Sequence, residues 1–125
     1  MLPQKNKLRK MKEWEILFKE GRFVAGKLVN LKIWSVNPAK YPKRDFSDDD
    51  LKIGFAVGLK ISKSAVKRNR VKRQMREVVR LLLKDKVLRK GFFVGVLAKP
   101  EIVGKEYDEI ERDIVGVLKK SCILE

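Results

Sequence analysis

The segment VKRNRVKRQMREVVR, Val66 to Arg80, carries seven Lys and Arg residues and a single Glu. Apolar residues recur in and after it at the spacing of one helix face: Val71, Met75, Val78 and Leu82. Polar residues repeat at the same spacing on the opposite side: Asn69, Lys72, Arg73, Arg76 and Arg80. The pattern predicts a long helix over about residues 63–84, with Ser62 or Ser64 as its N-cap. Like charges at these spacings repel, so such a helix needs a negatively charged partner.

The chain as a whole is strongly basic. It has 31 Lys and Arg residues against 16 Asp and Glu in 125 residues, a net charge of +15 and a pI near 10.1. Such an excess indicates a polyanionic partner, either nucleic acid or an anionic membrane. Residues 60–90 alone hold 13 basic residues and two acids, whereas a solvated helix face normally mixes the two signs. We therefore predict a nucleic-acid-binding face; a solvated face and a membrane-surface helix are the alternatives.

The mixture of side chains in this helix is suited to RNA. Arg holds phosphate through a two-pronged fork and lies flat on a base or ribose, whereas Lys acts as a point charge. Asn69, between Arg68 and Arg70, offers a donor and an acceptor for a base edge or a 2′-hydroxyl. Its alternative role is a hydrogen bond to nearby backbone at the start of the helix.

Residues that the chain lacks exclude several classes of function. Without histidine there is no histidine triad, histidine general base or histidine metal ligand. A single cysteine, Cys122, excludes an internal disulfide and a multi-cysteine zinc site. No apolar run is long enough to span a bilayer, and the basic N-terminus lacks the apolar segment of a secretory signal. We expect a soluble, cytoplasmic protein with a single domain over residues 1–125.

Shorter periodic segments flank the basic helix. The predicted elements are a helix over 11–20 ended by Gly21, strands over 27–36, 51–59 and 91–98, and a helix over 107–118. The proline-containing segment 37–50 is predicted to be a loop. This order predicts an α+β fold, a small α/β sandwich with one main sheet. The basic helix would cross one sheet face between two strands.

Aromatic residues form a second group of candidates. Trp14 and Phe18 share one face of the first helix, and Trp34 lies on the polar side of a strand with Asn30 and Lys32. Core packing is one interpretation. The other is a shallow sheet face on which the bases of an extended single strand stack while cations follow its backbone.

The acidic residues Asp45, Asp48, Asp49 and Asp50 suggest a metal site at first sight. They lie in a proline-containing loop that lacks the glycine and terminal glutamate of a calcium-binding loop. We interpret them as a solvated loop, and the sequence predicts no metal site and no catalytic residue on the protein.

The motif Ala65-Val66-Lys67-Arg68-Asn69-Arg70-Val71-Lys72-Arg73, followed by Arg76 and Glu77, resembles the signature of the bacterial ribonuclease P protein subunit. Leu8, Trp14, Phe18 and Gly21 fit the N-terminal pattern of that family, so the resemblance covers nearly the whole chain. It implies a sandwich like a domain of ribosomal protein S5, with a left-handed βαβ crossover through the basic helix.

The resemblance also implies a function. The protein would assist an RNA subunit, which binds Mg²⁺ together with the substrate and removes the 5′ leader of precursor tRNA. Its partners would be this RNA and precursor tRNA, with no membrane and no small-molecule substrate. The implied RNA contacts, with Arg80 added from the helix pattern, are Lys60, Arg68, Asn69, Arg70, Lys72, Arg73, Arg76 and Arg80. The implied lining of a leader cleft is Trp14, Phe18, Lys32 and Trp34.

Three positions depart from the family pattern. Lys32 stands where relatives often carry Tyr, so either its charge or Trp34 replaces an aromatic contact. Leu59 replaces a turn lysine, and Ala98 stands where an arginine is common. The alternative functions are a general RNA-binding or ribosomal protein of similar fold and, less favoured, a protein-only endonuclease.

Overall fold

A four-stranded sheet forms the middle layer of this computed structural model, which describes residues 2–44, 46–58 and 60–124. The strands are β1 (Arg22–Ala25), β2 (Val29–Ser35), β3 (Leu51–Ala56) and β4 (Phe92–Ala98). The helices are α1 (Met11–Glu20), α2 (Ala65–Lys84) and α3 (Tyr107–Lys120), with short 3₁₀ turns at Gln4–Asn6, Pro38–Lys40 and Pro100–Ile102. The predicted α+β class is therefore confirmed.

The strand order is β1-β2-β4-β3. β2 pairs antiparallel with both β1 and β4, whereas β3 and β4 are parallel neighbours. A parallel pair needs a long crossover connection, and α2 supplies it, as the sequence predicts. The left hand of this crossover stays a prediction.

The main core lies between the sheet and the helices α2 and α3. Val29, Leu31 and Ile33 alternate along β2 and are all buried on this side. The helices contribute apolar stripes that are buried against them: Val71, Met75, Val78 and Val79 from α2, and Ile110, Ile114, Val117 and Leu118 from α3. Because the apolar stripe of α2 is buried, the opposite, basic side of that helix faces away from the sheet.

Several elements differ from the sequence prediction, and the clearest cases are β1, the start of α2 and the end of β3. The sequence pattern does not indicate β1, because its four side chains are mostly exposed and give no apolar alternation. α2 begins at Ala65 because Ser64 is the N-cap, with its hydroxyl accepting a hydrogen bond from the Lys67 amide at 3.3 Å. β3 ends at Ala56; Leu59, the predicted end, and Asp45 of the acidic loop lie outside the described residues.

The helix α1 covers the other face of the sheet. A buried carboxylate, Glu13, accepts hydrogen bonds from the amides of Arg9 and Lys10 and pairs with Lys52 of β3 at 2.6 Å. Next to this pair, the Trp14 indole lies directly on Gly54 of β3 and Gly95 of β4. The start of α1 is therefore fixed to β3 and β4 through one ion pair and one aromatic contact.

No helix in the described ranges is both long and apolar enough to cross a membrane.

Substitution of Gly54 by Ala should lower the free energy of unfolding by about 1–3 kcal/mol. A Cβ at this position would lie 2.4 Å from the Trp14 ring, so the indole must move. The control is Gly58→Ala, where a Cβ meets no atom within 4 Å. Urea unfolding of the two variants measures the difference, and equal stabilities would contradict the close packing of Trp14 on the sheet.

Candidate nucleic-acid interface

The exposed side of α2 carries a continuous set of polar side chains, which we call the basic stripe. Its members are Asn69, Arg70, Lys72, Arg73, Arg76 and Arg80. Asn69, Arg70 and Arg73 are exposed, and the others are partly exposed. The structure thus brings together the predicted RNA contacts on one helix, with Lys60 exposed in the turn before it.

Most of the charge on this surface is not neutralised within the protein. Among the described residues, Arg80 is the only α2 cation that forms a salt bridge. Its guanidinium donates two hydrogen bonds to Glu77, at 2.9 and 2.6 Å, and these hydrogen bonds lower the pKa of the Glu77 carboxyl. The rest of the stripe is available to an external anion.

The N-terminal end of α2 concentrates positive charge further. A helix macrodipole is positive at this end and is normally balanced by acidic residues. The first turn of α2 has none and is followed by Arg68 and Arg70, whereas α3 begins with Asp108 and Glu109. The Arg68 guanidinium also donates to the Ser62 carbonyl at 2.8 Å, so Arg68 fixes the turn before the helix. A bound phosphate would stabilise this end of α2.

A second surface lies beside α1, on the opposite face of the sheet. Trp14 and Phe18 stack with ring centroids 5.7 Å apart, and Phe18 is 49% exposed. Lys32 projects from β2 on the same face and donates to the Gly21 carbonyl at 3.3 Å. Three of the four predicted cleft residues therefore lie together at the junction of α1 and the sheet.

Trp34, the fourth predicted cleft residue, is in the core. It is only 7% exposed, and its ring is in edge contact with Phe93, Tyr41 and Phe46, at centroid distances of 5.2, 5.8 and 6.0 Å. Tyr41 and Phe46 belong to the segment predicted as a loop, which folds back over Trp34. This corrects the assignment of Trp34 to an open cleft and favours the core-packing interpretation for this residue.

Comparison with known proteins identifies the family. The model of the ribonuclease P family matches residues 2–122. This chain belongs to the ribonuclease P protein family. A ribonuclease P protein component from a Pseudanabaena species is 32% identical over 124 residues, covering 99% of this chain and 97% of that protein. One from Clostridium botulinum is 31% identical, covering 96% and 97% of the two chains.

Solved structures agree on the fold. The ribonuclease P protein of Staphylococcus aureus superimposes with a TM-score of 0.76 at 19% identity, covering 96% of this chain and 98% of that one. That of Thermotoga maritima gives a TM-score of 0.70 at 22% identity, covering 91% and 96%. The fold of this chain is therefore that of ribonuclease P proteins.

Sequence reasoning missed one exposed aromatic residue of this ribonuclease P family member. Phe23 of β1 is 56% exposed and lies directly opposite Lys32 in the β1–β2 pair. The available signal was an aromatic residue in a short segment between two glycines, Gly21 and Gly26. That segment is too short and too exposed to show a strand pattern.

The described part of the acidic loop forms local hydrogen bonds. The Asp50 carboxylate accepts from the Ser47 amide at 3.0 Å, and the Ser47 hydroxyl accepts from the Asp49 amide at 3.2 Å. In the described part of the chain, no three acidic or cysteine side chains converge as a metal site requires. We therefore assign no reaction step to a metal held by these residues.

A cavity of about 770 Å³ lies between the acidic loop, the N-terminal segment and the end of α2. Its basic lining residues are Lys5, Arg80, Lys84, Lys86 and Lys90, against the acids Asp49 and Asp50. This cavity extends the positive surface beyond the basic stripe and is separate from the aromatic surface beside α1.

Trp34→Ala should lower the free energy of unfolding by about 3–5 kcal/mol, because it removes a buried indole from a cluster of rings. Phe18→Ala should lower it far less, because about half of that ring is already in solvent. Chemical denaturation of both variants checks this contrast. A Trp34 variant as stable as the Phe18 variant would restore Trp34 as a surface residue.

Proposed function

We propose that this chain is the protein subunit of ribonuclease P and that it assists the RNA subunit in removing the 5′ leader from precursor tRNA. The observation that carries the proposal is the separation of two surfaces. The basic stripe belongs to a helix on one face of the sheet, and Trp14, Phe18 and Lys32 lie at a helix on the other. One surface suits structured RNA, and the other suits a single strand.

In this proposal the basic stripe binds the phosphates of the RNA subunit. Each phosphate neutralised by Lys or Arg releases counterions, which gives binding energy and a strong dependence on salt. The unpaired arginines of the stripe can each hold a phosphate with two hydrogen bonds. The N-terminal end of α2, where side-chain charge and helix dipole reinforce each other, is the strongest part of this surface.

The leader of precursor tRNA would occupy the surface beside α1. Phe18 presents an exposed ring on which a base can stack, and Trp14 supports that ring from beneath. Lys32 supplies positive charge for the leader backbone. Base–aromatic stacking tolerates any base, which suits leaders of varied sequence.

The chemistry is assigned to the RNA subunit, with Mg²⁺ held by that RNA and the substrate. The protein has no histidine, and its contribution would be to bind, to orient and to neutralise charge. Bringing the phosphates of leader and RNA subunit together would raise local Mg²⁺ occupancy. The chain would therefore act as one part of an endoribonuclease.

Loss of two stripe charges should flatten the salt dependence of RNA binding. Arg73→Ala with Arg76→Ala should weaken association with the RNA subunit and reduce the slope of log affinity against log salt by about 2, or about one per phosphate contact.

The matched control is Lys105→Ala with Lys119→Ala, which removes the same charge from exposed positions outside α2. Filter-binding titrations over a range of salt concentrations give both slopes. If the two double variants change the slope equally, net charge rather than the stripe governs binding.

Phe18→Ala should reduce affinity for precursor tRNA by roughly tenfold, the effect of losing one stacked base, with little effect on mature tRNA. The measurement is substrate and product affinity of the reconstituted holoenzyme. An equal loss for both tRNAs would show that Phe18 acts in assembly, and the leader assignment would then be withdrawn.

A further inference from the structure

Phe23 is an exposed aromatic side chain that the core does not use. The large apolar side chains exposed in the described part of the chain are Met11, Phe18, Phe23 and Val66, so Phe18 and Phe23 are its two exposed aromatic rings. Phe23 belongs to neither hydrophobic cluster, whereas its neighbour Val24 packs against the main core. Packing therefore gives no reason for a phenyl ring at this position.

The register places Phe23 in line with the surface beside α1. Phe23 is opposite Lys32, Lys32 is opposite Gly95, and Gly95 is opposite Gly54, so one row of residues crosses all four strands. Directly opposed residues project on the same face of a sheet. Trp14 covers the two glycines at one end of the row, and Phe23 stands uncovered at the other. With strands about 4.8 Å apart, the row spans roughly 14 Å.

The backbone of β1 is held firmly although it is an edge strand. The Asp113 carboxylate of α3 accepts hydrogen bonds from three successive amides of the β1–β2 turn, those of Lys27, Leu28 and Val29, at 3.1, 2.8 and 3.0 Å. The Arg22 guanidinium donates to the Ser121 carbonyl at 2.7 Å. Phe23 is therefore presented on a preorganised strand, which reduces the entropy lost when a ligand binds.

We propose that Phe23 and Lys32 form a second stacking subsite that takes an unpaired nucleobase of the RNA strand bound across the sheet. This inference rests on the proposed function, because it extends the leader surface from α1 to the outer edge of the sheet. A single ring is too small for an apolar protein-docking patch. A flat ring beside a lysine is the combination that binds a base and its phosphate.

The test compares variants of Phe23 in the reconstituted holoenzyme. Phe23→Ser should weaken precursor tRNA binding about tenfold without changing mature tRNA binding, and Phe23→Tyr should retain full affinity. Lys32→Tyr placed in the Phe23→Ser protein should recover most of the loss, because position 32 is the next residue inward in the same row. Phe23→Leu, which keeps apolar surface without a stacking face, should behave like Phe23→Ser.

Precursors with one abasic nucleotide at successive leader positions identify the base concerned. At one position, loss of the base should weaken binding to the original protein about tenfold and leave binding to the Phe23→Ser protein unchanged. That position should differ from the one that responds in the same way to Phe18→Ala.

Three outcomes would overturn the inference. The first is full leader preference in Phe23→Ser or Phe23→Leu while Phe18→Ala loses it, which would leave the proposed function standing. The second is loss of preference in none of these variants, which would also remove the leader-binding part of the proposed function. The third is a Phe23→Ser protein that binds the leader as before but sediments differently when free of RNA. That result would assign Phe23 to a contact between two copies of the chain.

Discussion

The contact of the Trp14 indole with Gly54 and Gly95 sets the distance between α1 and the sheet. A Cβ at either glycine would come within about 3 Å of the ring, so only a bare backbone admits the indole there. The Glu13–Lys52 pair fixes the same helix at its first turn. Together they hold α1 over β3 and β4 and leave Phe18 and Phe23 exposed, with Lys32 partly exposed between them. The position of the candidate leader surface therefore depends on where α1 can approach the sheet closely.

On the opposite face of the sheet, two features of α2 have opposite effects on stability. The apolar stripe of α2 stabilises the helix by burial, while its N-terminal turns accumulate positive charge against the helix dipole. Core packing tolerates this repulsion in the free protein. A ligand that binds only the folded state adds stability by mass action. Bound RNA phosphate would therefore both relieve the charge repulsion in α2 and stabilise the folded protein.

Features that depend on local periodicity could be predicted from the sequence. Neighbouring residues are enough to predict three features: the apolar stripe of α2, the alternation of Val29, Leu31 and Ile33, and the end of α1 at Gly21. The structure confirms all three. Trp34 and Phe23 could not be placed in this way. The burial of Trp34 depends on rings from a loop that looks polar, and the exposure of Phe23 depends on pairing of an edge strand that has no apolar alternation.

In the proposed function, the protein assists an RNA that performs the reaction. The most direct measurement is cleavage of a 5′-extended precursor tRNA at low Mg²⁺ by a bacterial ribonuclease P RNA, with and without this protein, and by the protein alone. We expect leader removal at low Mg²⁺ only when RNA and protein are both present. Tight RNA binding without stimulation, or cleavage by the protein alone, would contradict it.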